Sequence, residues 1–193
     1  MPKHLLKVIV RTVFLLFALP LAAASVFGRW EPPFTLFAHV CAVAPGVFGD
    51  YLRTAYYKLV LTECPFSSRI SFGSFFAHPE ARLADQVYIG CYCVIGKTTI
   101  GRNTQIASGV QILSGNRQHT RNEDGGLSGS QGGVFTTVTI GAHCWIGAGA
   151  IVMADVGDGT TIGAGSIVSH PIPPNSVAVG NPARVIRSAE RNL

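Results

Sequence analysis

The residues of this chain best suited to chemistry sit in one polar, glycine-rich segment, SGNRQHTRNEDGGLSGSQGG, which runs on from Ser114 toward Phe135. His119 stands there among Asn116, Arg117, Arg121, Glu123 and Asp124. An imidazole titrates near neutrality, so His119 is suited to take the proton from a hydroxyl as it attacks an electrophile. Glu123 or Asp124 could orient that ring, and Arg117 or Arg121 could bind an anionic group. The bland alternatives are an exposed loop histidine and solvated loop charges. His143 falls at a turn and reads as surface, and His78 and His170 also lie in turn contexts. The spaced histidines of a metal site are not visible, so no metal is expected. Five cysteines form no paired framework, and Cys91-Tyr92-Cys93 has one intervening residue where zinc sites have two to four. Two residues apart on an extended strand, Cys91 and Cys93 are expected to share a face. Packed, reduced thiols are the expectation.

The elements that must position this segment are read from composition and periodicity. With 193 residues, 13% charged and 48% apolar, and a mean hydropathy of +0.35, the chain is neither a disordered protein nor a solvated coiled coil. Its 22 glycines and 11 prolines favour turns and strands over helix. The net charge of +5 gathers at the ends, in Lys3, Lys7 and Arg11 and in Arg184, Arg187 and Arg191. Without a basic run in the middle, no nucleic-acid partner is expected.

Residues 1–49 read as a hydrophobic helical membrane anchor or hairpin. Thr12–Phe27 is an uninterrupted apolar stretch of about 24 Å as helix, short of a full span. A second stretch, Pro33–Phe48, follows the turn Arg29-Trp30-Glu31-Pro32-Pro33, whose tryptophan suits an interface. A cleaved secretory signal and a buried core helix also fit the first stretch, but the signal leaves the second unexplained. Basic residues at both outer ends favour a hairpin or interfacial anchor with both termini in the cytoplasm. Residues 50–69 read as a connecting helix and linker, either interfacial or capping the domain that follows. Leu52, Tyr56, Leu59 and Val60 share one helical face, with Arg53, Tyr57 and Lys58 beside it.

From residue 70 the chain counts in sixes. Ile70, Phe76, Arg82, Tyr88, Val94, Ile100, Ile106 and Ile112 follow one another at that period, and seven of these eight are apolar. The pattern breaks over 114–135, resumes at Val134, Ile140, Ile146 and Val152, slips by two, and returns at Val156, Ile162 and Val168. This period fits neither a helix nor a long strand. It fits a coil of three short flat strands, each with one inward apolar residue and small residues such as Gly90, Gly96, Gly101, Gly109, Gly141, Gly147, Gly163 and Gly165 at the corners. The expected fold is mainly β, a parallel β-helix over 70–187 of roughly five coils stacked over about 24 Å, ending in a tail at 188–193. A long loop thrown out of such a stack is more often functional than accidental.

The repeat run resembles the hexapeptide-repeat acyltransferases. The matching pieces are Trp145-Ile146-Gly147-Ala148, Ile162-Gly163-Ala164-Gly165-Ser166, Ile172-Pro173-Pro174-Asn175 and Gly180-Asn181-Pro182-Ala183-Arg184-Val185-Ile186, within about 82–187. The resemblance is nearest to the galactoside and polysaccharide O-acetyltransferases. It implies a left-handed β-helix, a homotrimer, and acyl transfer from acetyl-CoA or another acyl-CoA to a hydroxyl or amine. It further implies a catalytic histidine in the excursion. The position where the galactoside enzymes place theirs is Asn116, three residues before His119. By the same resemblance Ala148, Ala164, Gly165 and Ser169 line the pantetheine groove, Trp145 borders the thioester, and Arg184 lies near the nucleotide phosphates. Asn116, Arg117 and Arg121 are the candidate acceptor contacts. The apolar N-terminus departs from the soluble sugar acetyltransferases. It points to a lipid-linked or membrane-borne saccharide acceptor at the cytoplasmic side of the bacterial inner membrane. The competing expectation is a catalytically silent solenoid scaffold in a membrane or polysaccharide assembly.

Overall fold

A computed structural model describes residues 3–116, 126 and 134–188. Three helices come first: α1 (Lys3–Ala24), α2 (Glu31–Ala42) and α3 (Gly46–Val60). Fifteen short strands follow among the described residues. They are β1 (Arg69–Ile70), β2 (Phe75–Phe76), β3 (Arg82–Leu83), β4 (Tyr88–Ile89), β5 (Val94–Ile95), β6 (Thr98–Ile100), β7 (Gln105–Ile106) and β8 (Gln111–Ile112), then β9 (Val138–Ile140), β10 (Trp145–Ile146), β11 (Ile151–Val152), β12 (Thr161–Ile162), β13 (Ile167–Val168), β14 (Ser176–Val179) and β15 (Arg184–Ser188).

The strands make a parallel solenoid with three walls. The first wall runs β1-β4-β7-β10-β12-β14 and ends on the antiparallel β15. The second runs β2-β5-β8-β11-β13. The third is β3-β6-β9, continued by the single-residue bridges Ile140–Val156 and Val156–Ile172. Each two-residue strand from β1 to β13 turns its second residue inward, and these form a buried column, mostly isoleucine, valine and leucine, whose removal from water is worth about 1.5–3 kcal/mol per side chain.

The column departs from the strict count of six in its first two turns. Arg82, Tyr88 and Val94, expected to point inward, face outward or lie half-buried, and their neighbours Leu83, Ile89 and Ile95 fill the core. The step from Phe76 to Leu83 is seven residues and that from Ile95 to Ile100 is five, so the register is regained. The longer corner holds Pro79, whose carbonyl accepts from the Thr62 N–H at 3.0 Å, so the extra residue is held against the chain leaving α3. Val134 is also outside the column at 52% exposure; the third wall resumes with Val138 and Ile140. Cys91 and Cys93 do not share a face. Tyr92 between them has φ 58°, which turns a corner, so Cys93 is buried and Cys91 is half-buried.

Corner glycines follow from how closely the turns stack. A Cβ on Gly90 would lie 2.6 Å from the Ser108 nitrogen and 2.7 Å from the Ala107 carbonyl carbon, backbone atoms of the next turn. Gly90→Ala is therefore expected to lower stability by about 1–3 kcal/mol, read as a lower thermal midpoint.

The second apolar stretch packs on the solenoid. It forms α2, which buries Phe34, Ala38, Cys41 and Ala42, and the His39 ring meets Phe75 edge-on at 4.5 Å. α3 lies over the first turn of the solenoid and covers an apolar end that would otherwise face water. Tyr57 packs edge-on against Phe76 at 4.8 Å and its hydroxyl accepts from the Phe76 N–H, while the Tyr56 hydroxyl donates to the Phe34 carbonyl at 3.0 Å. Burial raises both phenols well above their ordinary range and pushes the Cys41 and Cys64 thiols up to about 12. These groups are packing elements, as expected of reduced thiols in a core.

At the centre of the helical cap lies Arg53, fully buried. Its Nε donates to the Ile70 carbonyl at 2.9 Å, and its Nη1 donates to the carbonyls of Cys41, Ala42 and Ala44 at 3.0, 3.2 and 2.8 Å. Nη2 meets the Asp50 carboxylate at 2.6 Å, which also holds Arg69. One guanidinium thus satisfies carbonyls at the end of α2 and ties α2 and α3 to β1.

Candidate functional site

The excursion leaves the corner after β8 and returns to β9. Its neck is closed where the Thr136 N–H donates to the Ser114 carbonyl at 3.0 Å. Ser114 is buried, and its hydroxyl accepts the Lys97 N–H at 2.8 Å. Gly115 takes φ 87°, a conformation suited to glycine, and turns the chain outward so that Asn116 is exposed. His119, Arg117, Arg121, Glu123 and Asp124 lie outside the described residues.

Beside the neck is a cavity of about 590 Å³ lined by Arg29, Glu31, His78, Glu80, Lys97 and Phe135. His78 Nδ1 is 3.7 Å from the Glu31 carboxylate, and its ring lies 5.4 Å from that of Phe135. Lys97 Nζ is 3.2 Å from the Glu80 carboxylate. Burial raises the Glu80 acid, but its own backbone N–H and the Lys97 ammonium outweigh this and hold it below the usual carboxylate range. The cavity therefore presents cations, carboxylates, an imidazole and an aromatic ring to one volume, a set able to bond hydroxyl groups. In the sequence His78 lies in a turn and no motif marks it. Its neighbours Glu31 and Phe135 are far from it in the chain, and only the folding of the α1–α2 turn against the excursion's foot gathers them.

Four of the groove candidates lie on or beside one edge. Trp145 stands on the first wall between Gln105 and Thr161, with 58% of its surface exposed. The corner that follows carries Ala148, and one turn further on Ala164 and Gly165, all exposed. The Gly165 N–H donates to the Ala148 carbonyl at 2.8 Å, so these corners are stacked directly. No atom lies within 4 Å of where a Cβ on Gly149 or Gly165 would be, so the edge is open to a thin chain. Ser169 lies on a different corner, after β13, in the same column as the excursion's neck, and its hydroxyl is 3.0 Å from His170 Nδ1. Arg184 opens β15 opposite Val179; it is exposed, and its Nη1 donates to the Ala183 carbonyl at 3.3 Å. His143 is exposed at a corner with φ 58°. Among the described residues no three His, Cys, Asp or Glu side chains converge as a metal site would require.

This solenoid, capped by helices and interrupted by a single long excursion, has the fold of hexapeptide-repeat acetyltransferases. It superposes on one from Vibrio cholerae with a TM-score of 0.70 (17% identity, 86% of this chain and 92% of that one). A maltose O-acetyltransferase from Clostridium difficile gives 0.69 (23% identity, 88% and 91%). A variant of a Bacillus cereus N-acyltransferase, solved with coenzyme A and dTDP-4-amino-4,6-dideoxyglucose, gives 0.52 (19% identity, 64% and 71%). In sequence the chain is 39% identical over 94 residues to a putative acetyltransferase of Schizosaccharomyces pombe, covering 48% of this chain and 44% of that protein. It is 42% identical over 92 residues to the galactoside O-acetyltransferase of Escherichia coli, covering 46% and 43%. The resemblance read from the repeat motifs thus extends to proteins named acetyltransferases, although the matched region spans less than half the length of these curated relatives. No protein-family profile matches the chain.

Proposed function

We propose that the protein is an acyl-CoA-dependent O-acyltransferase, using acetyl-CoA on a saccharide hydroxyl. The observation that carries this reading is the open, small-residue edge at Ala148, Ala164 and Gly165 beside the exposed Trp145. A pantetheine arm is thin enough to lie along stacked corners whose side chains are small. Trp145 borders the thioester end and Arg184 serves the nucleotide phosphates. Ser169 stands at the neighbouring corner, in the column from which the excursion leaves. His119 is the general base: the acceptor oxygen attacks the thioester carbonyl, His119 takes its proton, and coenzyme A leaves as the thiolate. Asn116, Arg117 and Arg121, with the cavity of His78 and Lys97, receive the acceptor. Coenzyme A bound to the Bacillus cereus neighbour supports the donor, and the sugars named for the relatives support the acceptor class. The same likeness supports left-handed winding and a homotrimer. The apolar α1 supports a lipid-linked or membrane-borne acceptor at the cytoplasmic face of a bacterial inner membrane.

Calorimetry tests the donor site. Acetyl-CoA is expected to bind with micromolar affinity, and the Trp145→Ala, Arg184→Ala double variant to lose binding by tenfold or more. Absence of heat with acetyl-CoA, propionyl-CoA and succinyl-CoA would favour a silent scaffold instead.

A further inference from the structure

α1 is apolar on both sides, which a surface helix in water is not. One side, formed by Phe14, Leu15, Ala18, Leu21 and Ala22, packs into the body of the protein. Phe14 stacks on Tyr51 at 5.3 Å and meets Phe48 edge-on at 5.2 Å. Arg11 donates to the Phe66 carbonyl at 3.1 Å and lies over its ring. The other side presents Leu5, Ile9, Val13, Leu16 and Phe17 to the outside, Leu16 and Phe17 at 66% and 58% exposure, and Phe27 and Trp30 extend it around the turn. Leu5–Ala24 is long and apolar enough to cross a bilayer.

Two features argue against crossing. First, α1 is fastened to α3 and to the linker at Phe66, beside Ser67 and the pair of exposed Arg69 with half-buried Asp50. A perpendicular α1 would carry these polar groups into hydrocarbon, where each charge is costly. Second, exposed cations lie near both ends of α1 and its turn, Lys7 and Arg29, and no acidic residue precedes Glu31. A spanning helix concentrates its cations on the cytoplasmic flank, whereas cations at both ends suit one anionic surface.

We propose that α1 and the α1–α2 turn lie in the plane of an anionic phospholipid surface, embedded on one side only, with Lys7 and Arg29 on the headgroups. This deepens, and rests on, the membrane-borne acceptor of the proposed function. Phe27, Arg29 and Glu80 line one pocket, and Arg29 also lines the cavity of His78 and the Phe135 at the excursion's foot. Embedding the turn brings that cavity to the headgroup layer. A saccharide carried on a lipid then reaches that cavity without leaving the membrane.

The test is flotation of the full chain with vesicles of phosphatidylcholine alone or mixed in equal parts with phosphatidylglycerol. The expected result is recovery with the mixed vesicles, lowered tenfold or more by Leu16→Glu with Phe17→Glu, and lowered in its anionic preference by Lys7→Glu. Cysteines placed one at a time by Lys7→Cys and Arg29→Cys, in a Cys91→Ser background whose other four thiols are buried, are both expected to react with an impermeant maleimide added outside the vesicles. Protection of Lys7→Cys until the vesicles are lysed would establish a span and overturn the proposal. So would flotation indifferent to the glutamates, or absent flotation with light scattering showing that the glutamates break an oligomer. Acetyl-CoA affinity, measured on each variant, separates these failures from failure of the acyltransferase reading.

Discussion

Arg53→Met is expected to destabilise the protein by about 3–5 kcal/mol in urea unfolding, the range seen when one partner of a buried ionic network is removed. The methionine fills much of the arginine stem's volume, so the loss isolates the guanidinium. Five donated bonds vanish at once, four of them to carbonyls at the end of α2 and on β1 that water cannot easily reach. Arg53→Lys is expected to recover part of the loss, because an ammonium cannot fork toward both α2 and Ile70. Arg69→Ala gives the contrast: it shares Asp50, but its side chain is 63% exposed, so the change is expected below about 1 kcal/mol. Equal effects of Arg53→Met and Arg69→Ala would show that the network does not join the helical cap to the solenoid.

His119→Ala is expected to lower turnover by about 10²–10⁴-fold, the usual contribution of a positioned base, with acetyl-CoA affinity unchanged. In the parent, kcat/KM is expected to rise with pH as the base loses its proton, because only the neutral ring accepts one. That limb should flatten in the variant. His78→Ala is the control, expected to raise KM for the acceptor more than it lowers kcat. If His78→Ala abolishes turnover and flattens the pH profile while His119→Ala does neither, the base belongs to the cavity and not to the excursion.

The periodicity of apolar residues made the solenoid legible, because each turn repeats the same local demand: one inward side chain per wall and small corners. Its register in the first two turns was not, since the seven-residue step to Leu83 lies where Thr62 holds Pro79, a contact between elements. The open edge of small residues was partly legible. Ala148, Ala164 and Gly165 read as a set from their motifs, while the separate corner of Ser169 follows from the stacking of walls.

By itself, then, the amino-acid sequence determined a three-walled parallel coil, the place where it breaks, and an apolar N-terminus without acidic residues. Those features are written in spacing and residue type, which act locally. Only the tertiary structure decided that α2 docks on the solenoid, that Arg53 is the buried hub of the cap, and that His78, Glu31, Lys97 and Phe135 share one cavity. Each of those joins residues distant in the chain, and their energies come from burial and from bonds that exist only once the elements meet.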